Sequence, residues 1–271
     1  MLNLLLQPIN GNKVLYVLLL VAVITIVFTL LIVLISKLCA VKVDEKEEAV
    51  KENLAGANCG GCGYAGCADF AKALAEGKAE LSSCGPTSNE NKAKIAEILG
   101  IDFVAGEEKF AVVACSGGIN AKNKYDYVGN EGCSAQIAFI GGQKFCEDGC
   151  LGGGSCMSAC PYNAIHVKGG VAYTDPSVCE ACGVCVRKCP KNLVHLIPKS
   201  AKVYVACSSH CKGKTVMDMC KQGCIGCGLC AKNCPNGAIE MVNNVAVINY
   251  EKCNGCLTCV AKCPRKCIKE I

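Results

Sequence analysis

The chain has 271 residues, of which 27 are cysteine, and its formal net charge is +5. An odd number of cysteines excludes a framework in which every cysteine forms a disulfide within the chain. With 52% apolar and 19% charged residues, the composition also argues against disorder. Once the cysteines and one long apolar stretch are set aside, too few apolar residues remain for one large core. The sequence therefore predicts small modules held together by metals or cross-links.

Residues 14–35 form an apolar stretch without a single charge. At about 1.5 Å per residue such a helix spans about 33 Å, enough for the hydrocarbon layer of a membrane. A cleaved signal peptide is the alternative, but the stretch is too long and no small-residue cleavage site follows it. The sequence predicts one uncleaved transmembrane anchor within residues 1–38.

Positive charges flank this stretch unequally. Lys13 and the terminal amine precede it, and four lysines follow within sixteen residues: Lys37, Lys42, Lys46 and Lys51. Because cytoplasmic flanks carry the excess of Lys and Arg, we expect a single-pass protein of the plasma membrane with its body in the cytoplasm. Thiols stay reduced there and are free to bind metals.

A charged helical spacer, residues 39–56, leads to a membrane-proximal segment, residues 57–100. A glycine-rich loop supplies three cysteines, and an amphipathic stretch leads to a fourth. The four are Cys59, Cys62, Cys67 and Cys84. On spacing alone they suit zinc or a [4Fe–4S] cluster. The C-x2-C-x4-C loop is asymmetric for zinc, so the sequence favours a cluster. The next segment, residues 101–145, contains one predicted buried strand at 110–114 and has no assigned function.

Three blocks match the run C-x2-C-x2-C-x3-C-P of bacterial [4Fe–4S] ferredoxins, beginning at Cys179, Cys224 and Cys253. Three closely spaced thiolates wrap a loop around three iron corners, and in two-cluster ferredoxins the fourth cysteine serves the other cluster. The last two blocks predict a two-cluster module at residues 200–271. Its ligand sets are Cys224, Cys227, Cys230 and Cys263 for one cluster, and Cys253, Cys256, Cys259 and Cys234 for the other.

An internal repeat predicts a similar module at residues 146–199. Segments 113–116 and 205–208 both read Val-Ala-Cys-Ser, and the spacing of Cys146 and Cys150 recurs at Cys220 and Cys224. In this register a glycine, Gly153, stands where a ligand is expected. Cys146 is the obvious substitute, and a three-cysteine cluster with an open iron is the alternative. The predicted ligand sets are Cys146, Cys150, Cys156 and Cys189, and Cys179, Cys182, Cys185 and Cys160.

These five [4Fe–4S] sites leave seven cysteines, which we interpret as buried apolar residues by default. The alternative for four of them is a sixth site, made by Cys115, Cys133, Cys207 and Cys220. The other three are Cys39, Cys211 and Cys267.

Other chemistries have little support in the sequence. Three histidines and no CxxCH motif exclude Cys2His2 fingers and attached haem. Structural zinc is disfavoured by three copies of the three-plus-one spacing followed by proline. Without a nucleotide loop, catalytic triad or acid–base pair, we expect no catalytic residue and only electron relay by bound cofactors.

Several features resemble the RnfB component of the Rnf complex, and together they cover essentially the whole chain. They are the anchor, the loop CGGCGYAGC closed by Cys84, the tandem ferredoxin runs, and the segments CSSHCKGKTV and GCIGCGLCAKNCP. That complex is a membrane ferredoxin:NAD oxidoreductase. The resemblance implies a series of [4Fe–4S] clusters that takes electrons from soluble ferredoxin. It further implies that membrane and flavin-bearing partner subunits receive them and that transfer to NAD is coupled to Na+ or H+ pumping.

The predicted fold class is α+β, with one N-terminal transmembrane helix, a small helical 4Fe-4S domain and two tandem 2[4Fe-4S] ferredoxin-like modules. The predicted function is that of an iron–sulfur electron-transport subunit of an ion-translocating oxidoreductase. The alternatives are a membrane-tethered polyferredoxin for a different reductase or redox-sensor-reducing system, and a structural zinc-rich interaction protein.

Each oxidised cluster with its four thiolates carries a formal charge of about −2, so five clusters change the net charge from +5 to about −5. The basicity therefore does not indicate nucleic-acid binding. From residue 146 onward there are nevertheless 15 Lys and Arg against 8 Asp and Glu. We hypothesise that some of the basic residues near cluster-binding helices steer an acidic ferredoxin. They are Lys188, Lys191, Lys262, Arg265, Lys266 and Lys269.

Overall fold

A computed structural model of the chain describes residues 11–38 and 44–271. Lys42 and Cys39, which figure in the predictions above, and the first ten residues lie outside the described residues. The chain divides into two compact units, residues 1–44 and 45–271.

The first unit contains one helix, α1 (Gly11–Leu38). Its segment Leu15–Lys37 is long and apolar enough to cross a membrane, and in the described part of the chain it is the one helix that meets this criterion. The hydroxyl of Thr25 donates to the carbonyl of Ala22, and that of Thr29 to the carbonyl of Thr25. These bonds satisfy both hydroxyls within the helix, as a hydrocarbon environment requires.

The second unit begins with a small helical domain. It comprises α2 (Glu45–Asn53), α3 (Cys67–Ala75) and α4 (Asn89–Leu99). Val50, Phe70 and Ile95 are almost fully buried in its core, so the charged helix α2, predicted as a spacer, packs into this domain through its apolar face. Helix α4 begins at a Ser88 cap, whose hydroxyl accepts the N–H of Asn91, and ends at a left-handed Gly100.

The first ferredoxin-like module has four short strands: β1 (Lys109–Val113), β2 (Ile165–Lys168), β3 (Val171–Thr174) and β4 (Val194–Pro198). β1 pairs antiparallel with β4, with Phe110 opposite Ile197, and β2 pairs with β3. The strand predicted within the 101–145 segment is therefore an integral strand of this module. The helices are α5 (Cys133–Ala138), α6 (Ser155–Ser158) and α7 (Val184–Lys188).

The second module repeats this arrangement with β5 (Val203–Val205), β6 (Ile239–Val242), β7 (Val245–Ile248) and β8 (Ile268–Glu270). β5 pairs with β8, and β6 pairs with β7. Its helices are α8 (Lys214–Met219), α9 (Leu229–Lys232) and α10 (Thr258–Lys262). The α+β class with an apolar N-terminal helix, predicted from the sequence, is confirmed.

Cysteines make up much of each module's interior. In the first module the buried cluster around Ile165 and Leu193 includes Cys156, Cys179 and Cys185. In the second, Cys230 and Cys259 are buried together with Val203 and Ile268. The few apolar side chains of each module surround spaces lined by cysteines. The modules are thus organised around these spaces, because they have too little apolar surface for a large apolar core.

Candidate metal centres

Each ferredoxin-type cysteine loop enters a helix of only four or five residues through one left-handed residue. This residue is a glycine before α6, α7 and α9 and a leucine before α10, and its φ lies between 59° and 72°. The left-handed conformation favours glycine, so Leu257 is the exception. The turn places the last cysteine of each loop, a buried one, at the second residue of the helix.

The fourth cysteine of each run begins the same Cys-Pro-x-x turn. The last residue of the turn has a positive φ in all four copies: Asn163, Asn192, Gly237 and Lys266. In three copies the following amide donates to the cysteine sulfur. These bonds are Ala164 N to Cys160 Sγ at 3.4 Å, Leu193 N to Cys189 Sγ at 3.3 Å, and Ala238 N to Cys234 Sγ at 3.3 Å. Such N–H···S bonds stabilise thiolates and tune cluster potentials.

Two predicted ligand sets each line one cavity. Cys224, Cys227, Cys230 and Cys263 line one cavity together with Met241 and Ile268. Cys160, Cys179, Cys182 and Cys185 line another cavity together with Ile165 and Leu196. In both cavities four thiols converge within a largely apolar wall.

The third set is the second predicted set of module 2, and its cysteines also lie near one another. Its members are Cys253, Cys256, Cys259 and Cys234. Burial raises the pKa of Cys259, and the nearby thiols of Cys253 and Cys256 add to the rise. Cys234 and Cys253 pack against the same buried cluster as Cys259. Cys256 is exposed, so this site lies close to the protein surface.

The membrane-proximal set lies on the helical domain. Burial raises the pKa of Cys62, and the neighbouring Cys84 and Cys59 thiols raise it further. Cys84 is buried with its Sγ 3.1 Å from the Thr87 hydroxyl, and the Gly61 N–H donates to Cys59 Sγ at 3.4 Å. Cys67 packs beside Cys62 against the core that holds Cys84.

In the remaining predicted set, Cys146 lies at a different cavity from Cys156 and Cys189, and Cys150 lines both cavities. Cys150, Cys156 and Cys189 line one cavity with Cys133, the first residue of α5, while Cys146 lines the neighbouring cavity to which Cys150 also contributes. Burial raises the pKa of Cys156 to about 11, with further contributions from Cys150, Cys133 and Cys189.

The reason lies in the chain between β1 and α6, which folds back so that α5 covers the first cysteine loop. A Cβ atom on Gly153 would lie 2.8 Å from the backbone nitrogen of Cys133. The Cys133 backbone thus packs where Gly153 stands, and Cys133 lines the cavity together with Cys150, Cys156 and Cys189. The sequence contained two signs of this arrangement: a glycine at an expected ligand position, and Cys133, a cysteine outside the five predicted ligand sets.

The donor sets fit [4Fe–4S] clusters. Each offers four thiols, an apolar surround and, in most sets, backbone N–H groups directed at sulfur, which are the features that hold such clusters. In residues 11–38 and 44–271, no three His, Cys, Asp or Glu side chains are arranged to hold a single metal ion.

The membrane-proximal loop lies directly against a cysteine loop of module 1. Arg187 donates to the carbonyls of Gly61 and Gly60, at 2.7 and 2.8 Å. A Cβ on Gly61 would lie 2.3 Å from the Cys182 carbonyl oxygen. The half-buried Tyr162 lies near both sites, and its pKa is raised by burial and then by the nearby thiols of Cys59 and Cys182.

Cysteine-lined cavities in tandem ferredoxin-like modules, in a chain that also carries an apolar helix, define a membrane-associated iron–sulfur protein of electron transfer. Family models agree with this class. The Fe-S cluster model matches residues 54–86, and the 4Fe-4S dicluster domain model matches residues 144–190 and 218–264.

Curated relatives make the assignment specific. The RnfB component of the Na(+)-translocating ferredoxin:NAD(+) oxidoreductase complex of Acetobacterium woodii is 37% identical over 245 residues, covering 90% of this chain and 74% of the relative. The corresponding component of the ion-translocating oxidoreductase complex of Methanosarcina acetivorans is 37% identical, covering 88% and 91%. The proton-translocating counterpart of Clostridium ljungdahlii is 37% identical, covering 96% and 93%.

The chain belongs to the RnfB family of ion-translocating oxidoreductase complexes. The resemblance to the Rnf complex is thereby confirmed, and the chain is an iron–sulfur electron-transfer subunit of an oxidoreductase complex.

Proposed function

We propose that this chain takes electrons from soluble reduced ferredoxin at module 2 and delivers them, through the membrane-proximal site, to membrane and flavin-bearing partner subunits. The observation that carries the proposal is the contact of the Cys59–Cys62 loop with the Cys182 loop, since it joins the helical domain to the modules. The ferredoxin donor and the ferredoxin:NAD reaction come from the names of two relatives.

The proposed ligands keep four of the five sequence-based sets and replace Cys146 by Cys133 in the fifth. That set becomes Cys133, Cys150, Cys156 and Cys189. When bound, a [4Fe–4S] cluster accepts and releases one electron at a time. The chain's own residues hold the thiolates in fixed loops, donate N–H groups to sulfur and surround each site with apolar side chains.

The ferredoxin surface is proposed on module 2. Cys256 and Cys227 are exposed there, and Lys262 and Lys266 are exposed beside Cys263. Two of the basic residues suggested for steering are engaged in backbone contacts. Arg265 donates to the carbonyls of Cys220 and Gly223, and Lys191 to that of Glu147. Those contacts assign them a structural role and leave Lys262 and Lys266 as the better candidates.

The proposed topology has α1 spanning the plasma membrane once, with residues 45–271 in the cytoplasm. The excess of lysines after α1 supports this orientation. A cytoplasmic position also keeps the thiols of the cluster sites reduced.

The test uses the full chain, purified without oxygen in detergent and mixed with stoichiometric reduced ferredoxin in a stopped-flow instrument. We expect bleaching of the iron–sulfur absorbance as ferredoxin is oxidised, slower in Cys256→Ala and unchanged in Cys211→Ala. Cys211 belongs to none of the proposed ligand sets, which makes it the matched control. A colourless zinc protein, or an iron-loaded chain that exchanges no electrons with ferredoxin, would contradict the proposal.

A further inference from the structure

We infer that Cys115, Cys146, Cys207 and Cys220 bind a further [4Fe–4S] cluster, a sixth, between the two modules. The four cysteines line one cavity, to which the neighbouring Cys150 also contributes. No family model covers Cys115 or Cys207. The set also differs from the sequence-based alternative for a sixth site, which had Cys133 where the structure has Cys146.

Two ligands come from the repeated Val-Ala-Cys-Ser segments, which lie side by side. The hydroxyl of Ser116 donates to the carbonyl of Ala206 at 3.2 Å, and the hydroxyl of Ser208 donates to the carbonyl of Ala114 at 3.1 Å. The bonds are reciprocal, so the two segments are related by an approximate two-fold axis. This pairing presents Cys115 and Cys207 to the same cavity from equivalent positions.

The other two ligands are also equivalent in the repeat. Cys146 and Cys220 each stand four residues before the first cysteine of a module's cluster loop. A Cβ on Gly117 would lie 3.5 Å from Cys115 Sγ and 3.6 Å from Cys220 Sγ, so sulfurs from the two halves of the chain face one point. The site therefore takes one matching pair of cysteines from each repeat.

Backbone N–H groups point at these sulfurs, as they do at the ferredoxin-type sites. Cys115 Sγ accepts from the N–H groups of Gly117 and Cys150, both at 3.4 Å. Cys207 Sγ accepts from the N–H of Cys224 at 3.2 Å. Cys150 and Cys224 are proposed ligands of the adjoining clusters in modules 1 and 2, so the cavity lies directly between the two modules' sites.

A buried lysine lies behind one wall of the cavity, and one carboxylate, that of Asp148, lines the cavity itself. Lys144 is 7% exposed, and its ammonium donates to the carbonyls of Gly118 and Ala121, two residues of the cavity wall. Among the ion pairs of the described residues it has no carboxylate partner. A cluster with four thiolates would add negative charge on the cavity side of these two carbonyls.

A buried hydroxyl also lacks an acceptor. Ser209 Oγ lines the cavity and has no well-aligned hydrogen-bond partner in the part of the chain that the structure describes. It lies beside the Cys146 thiol. A cluster sulfur in the cavity would accept its hydrogen bond.

The significance of this site for electron transfer rests on the proposed function, whereas its occupancy does not. With it, the cysteine sites run without interruption from the helical domain through module 1 to module 2. Without it, the modules' clusters would be separated by a cavity of free thiols.

The decisive measurement is the iron, acid-labile sulfide and zinc content of the full chain purified without oxygen. At four irons per cluster, six clusters require about 24 iron atoms per chain and five require about 20. We expect Cys115→Ala and Cys207→Ala each to lose about four irons, and Cys211→Ala to lose none. The count needs no ferredoxin, so an inactive chain with about 24 irons would contradict the proposed function and leave this inference standing.

Double variants test which cysteines belong together. Cys115→Ala combined with Cys146→Ala should lose four irons in total, because both ligands serve one cluster. Cys146→Ala combined with Cys156→Ala should lose eight, whereas Cys133→Ala combined with Cys156→Ala should lose four. The EPR signals of the remaining clusters report whether each variant folds, and if a variant does not fold the wild-type count decides. A wild-type count of about 20, or zinc in place of iron in this cavity, would overturn the inference.

Discussion

Arg187 holds the backbone of the membrane-proximal loop: its Nη1 donates to the carbonyl oxygen of Gly61 at 2.7 Å. Its Nη2 makes a parallel bond to the neighbouring carbonyl, that of Gly60. A planar guanidinium makes two parallel bonds of this kind from two separate nitrogens, whereas an ammonium has only one nitrogen. Arg187 is not a proposed cluster ligand, yet its hydrogen bonds hold the membrane-proximal site next to a cluster site of module 1.

Arg187→Ala should loosen the helical domain from module 1 without removing iron. Two lost hydrogen bonds correspond to about 1–3 kcal/mol of docking free energy. We expect weaker magnetic coupling between the two adjoining clusters in the EPR spectrum of the reduced protein, and faster proteolysis between residues 100 and 109. Arg187→Lys should recover only part of the coupling. Undiminished coupling in the alanine variant would show that the contact does not depend on Arg187.

Gly61→Ala should disturb the same contact by steric overlap. The new Cβ would lie 2.3 Å from the Cys182 carbonyl oxygen, so one of the two backbones must move. Overpacking of this kind costs about 1–3 kcal/mol. Gly106→Ala is the matched control, because nothing lies within 4 Å of its Cβ position and its φ is not positive. We expect the EPR coupling to fall in the first variant only; equal behaviour of the two would refute the close approach.

Reversing the charge at Lys262 and Lys266 should slow association with reduced ferredoxin. Both side chains are exposed near Cys263, and steering by such charges changes on-rates by about tenfold or more at low salt. The Lys262→Glu/Lys266→Glu variant should show a lower rate and a shallower salt dependence in stopped-flow experiments. Lys122→Glu/Lys168→Glu changes two exposed lysines elsewhere and should keep the wild-type slope. An unchanged slope in the first variant would exclude this docking surface.

Cys267→Ala should change the potential of one cluster without removing it. Cys267 Sγ lies 3.5 Å from Cys263 Sγ, and this contact lowers the pKa of Cys263 to about 5. A thiol that donates to a ligand sulfur stabilises the more negative, reduced cluster, so its removal disfavours reduction. We expect full iron content and a more negative midpoint in an EPR redox titration. Loss of four irons would instead make Cys267 a ligand.

Cluster binding should become tighter as the pH rises. Burial raises the pKa of Cys156 and of Cys230 to about 11, so both thiols are protonated in the cluster-free protein at neutral pH. Because only thiolates bind iron, loading must release these protons, and acid must favour cluster loss. Reconstitution in a weakly buffered solution should release up to about four protons per cluster. A pH-stat trace without proton release would contradict the assigned protonation states.

The predicted ligand sets whose four cysteines line one cavity are those in which local spacing decides the geometry. Cys224, Cys227 and Cys230 belong to one loop, and the cross-over from Cys263 follows from the tandem repeat. Cys133 and Cys146 were beyond such reasoning because their positions depend on how the chain between β1 and α6 folds back. One residue in the sequence, Gly153, indicated a departure from the usual ligand pattern. Its role is visible only in the structure, where the Cys133 backbone packs against it.

Ser116 and Ser208 form reciprocal hydrogen bonds between the two modules. The interface between the modules therefore resembles that of a symmetric homodimer, although both halves belong to one polypeptide. Such interfaces are self-complementary: each partner presents the same patch to the other. An isolated module with a single Val-Ala-Cys-Ser segment would hold only half of the enclosed cavity. It would have to associate with a second copy to close it, so covalent linkage of the two halves makes the assembly independent of protein concentration.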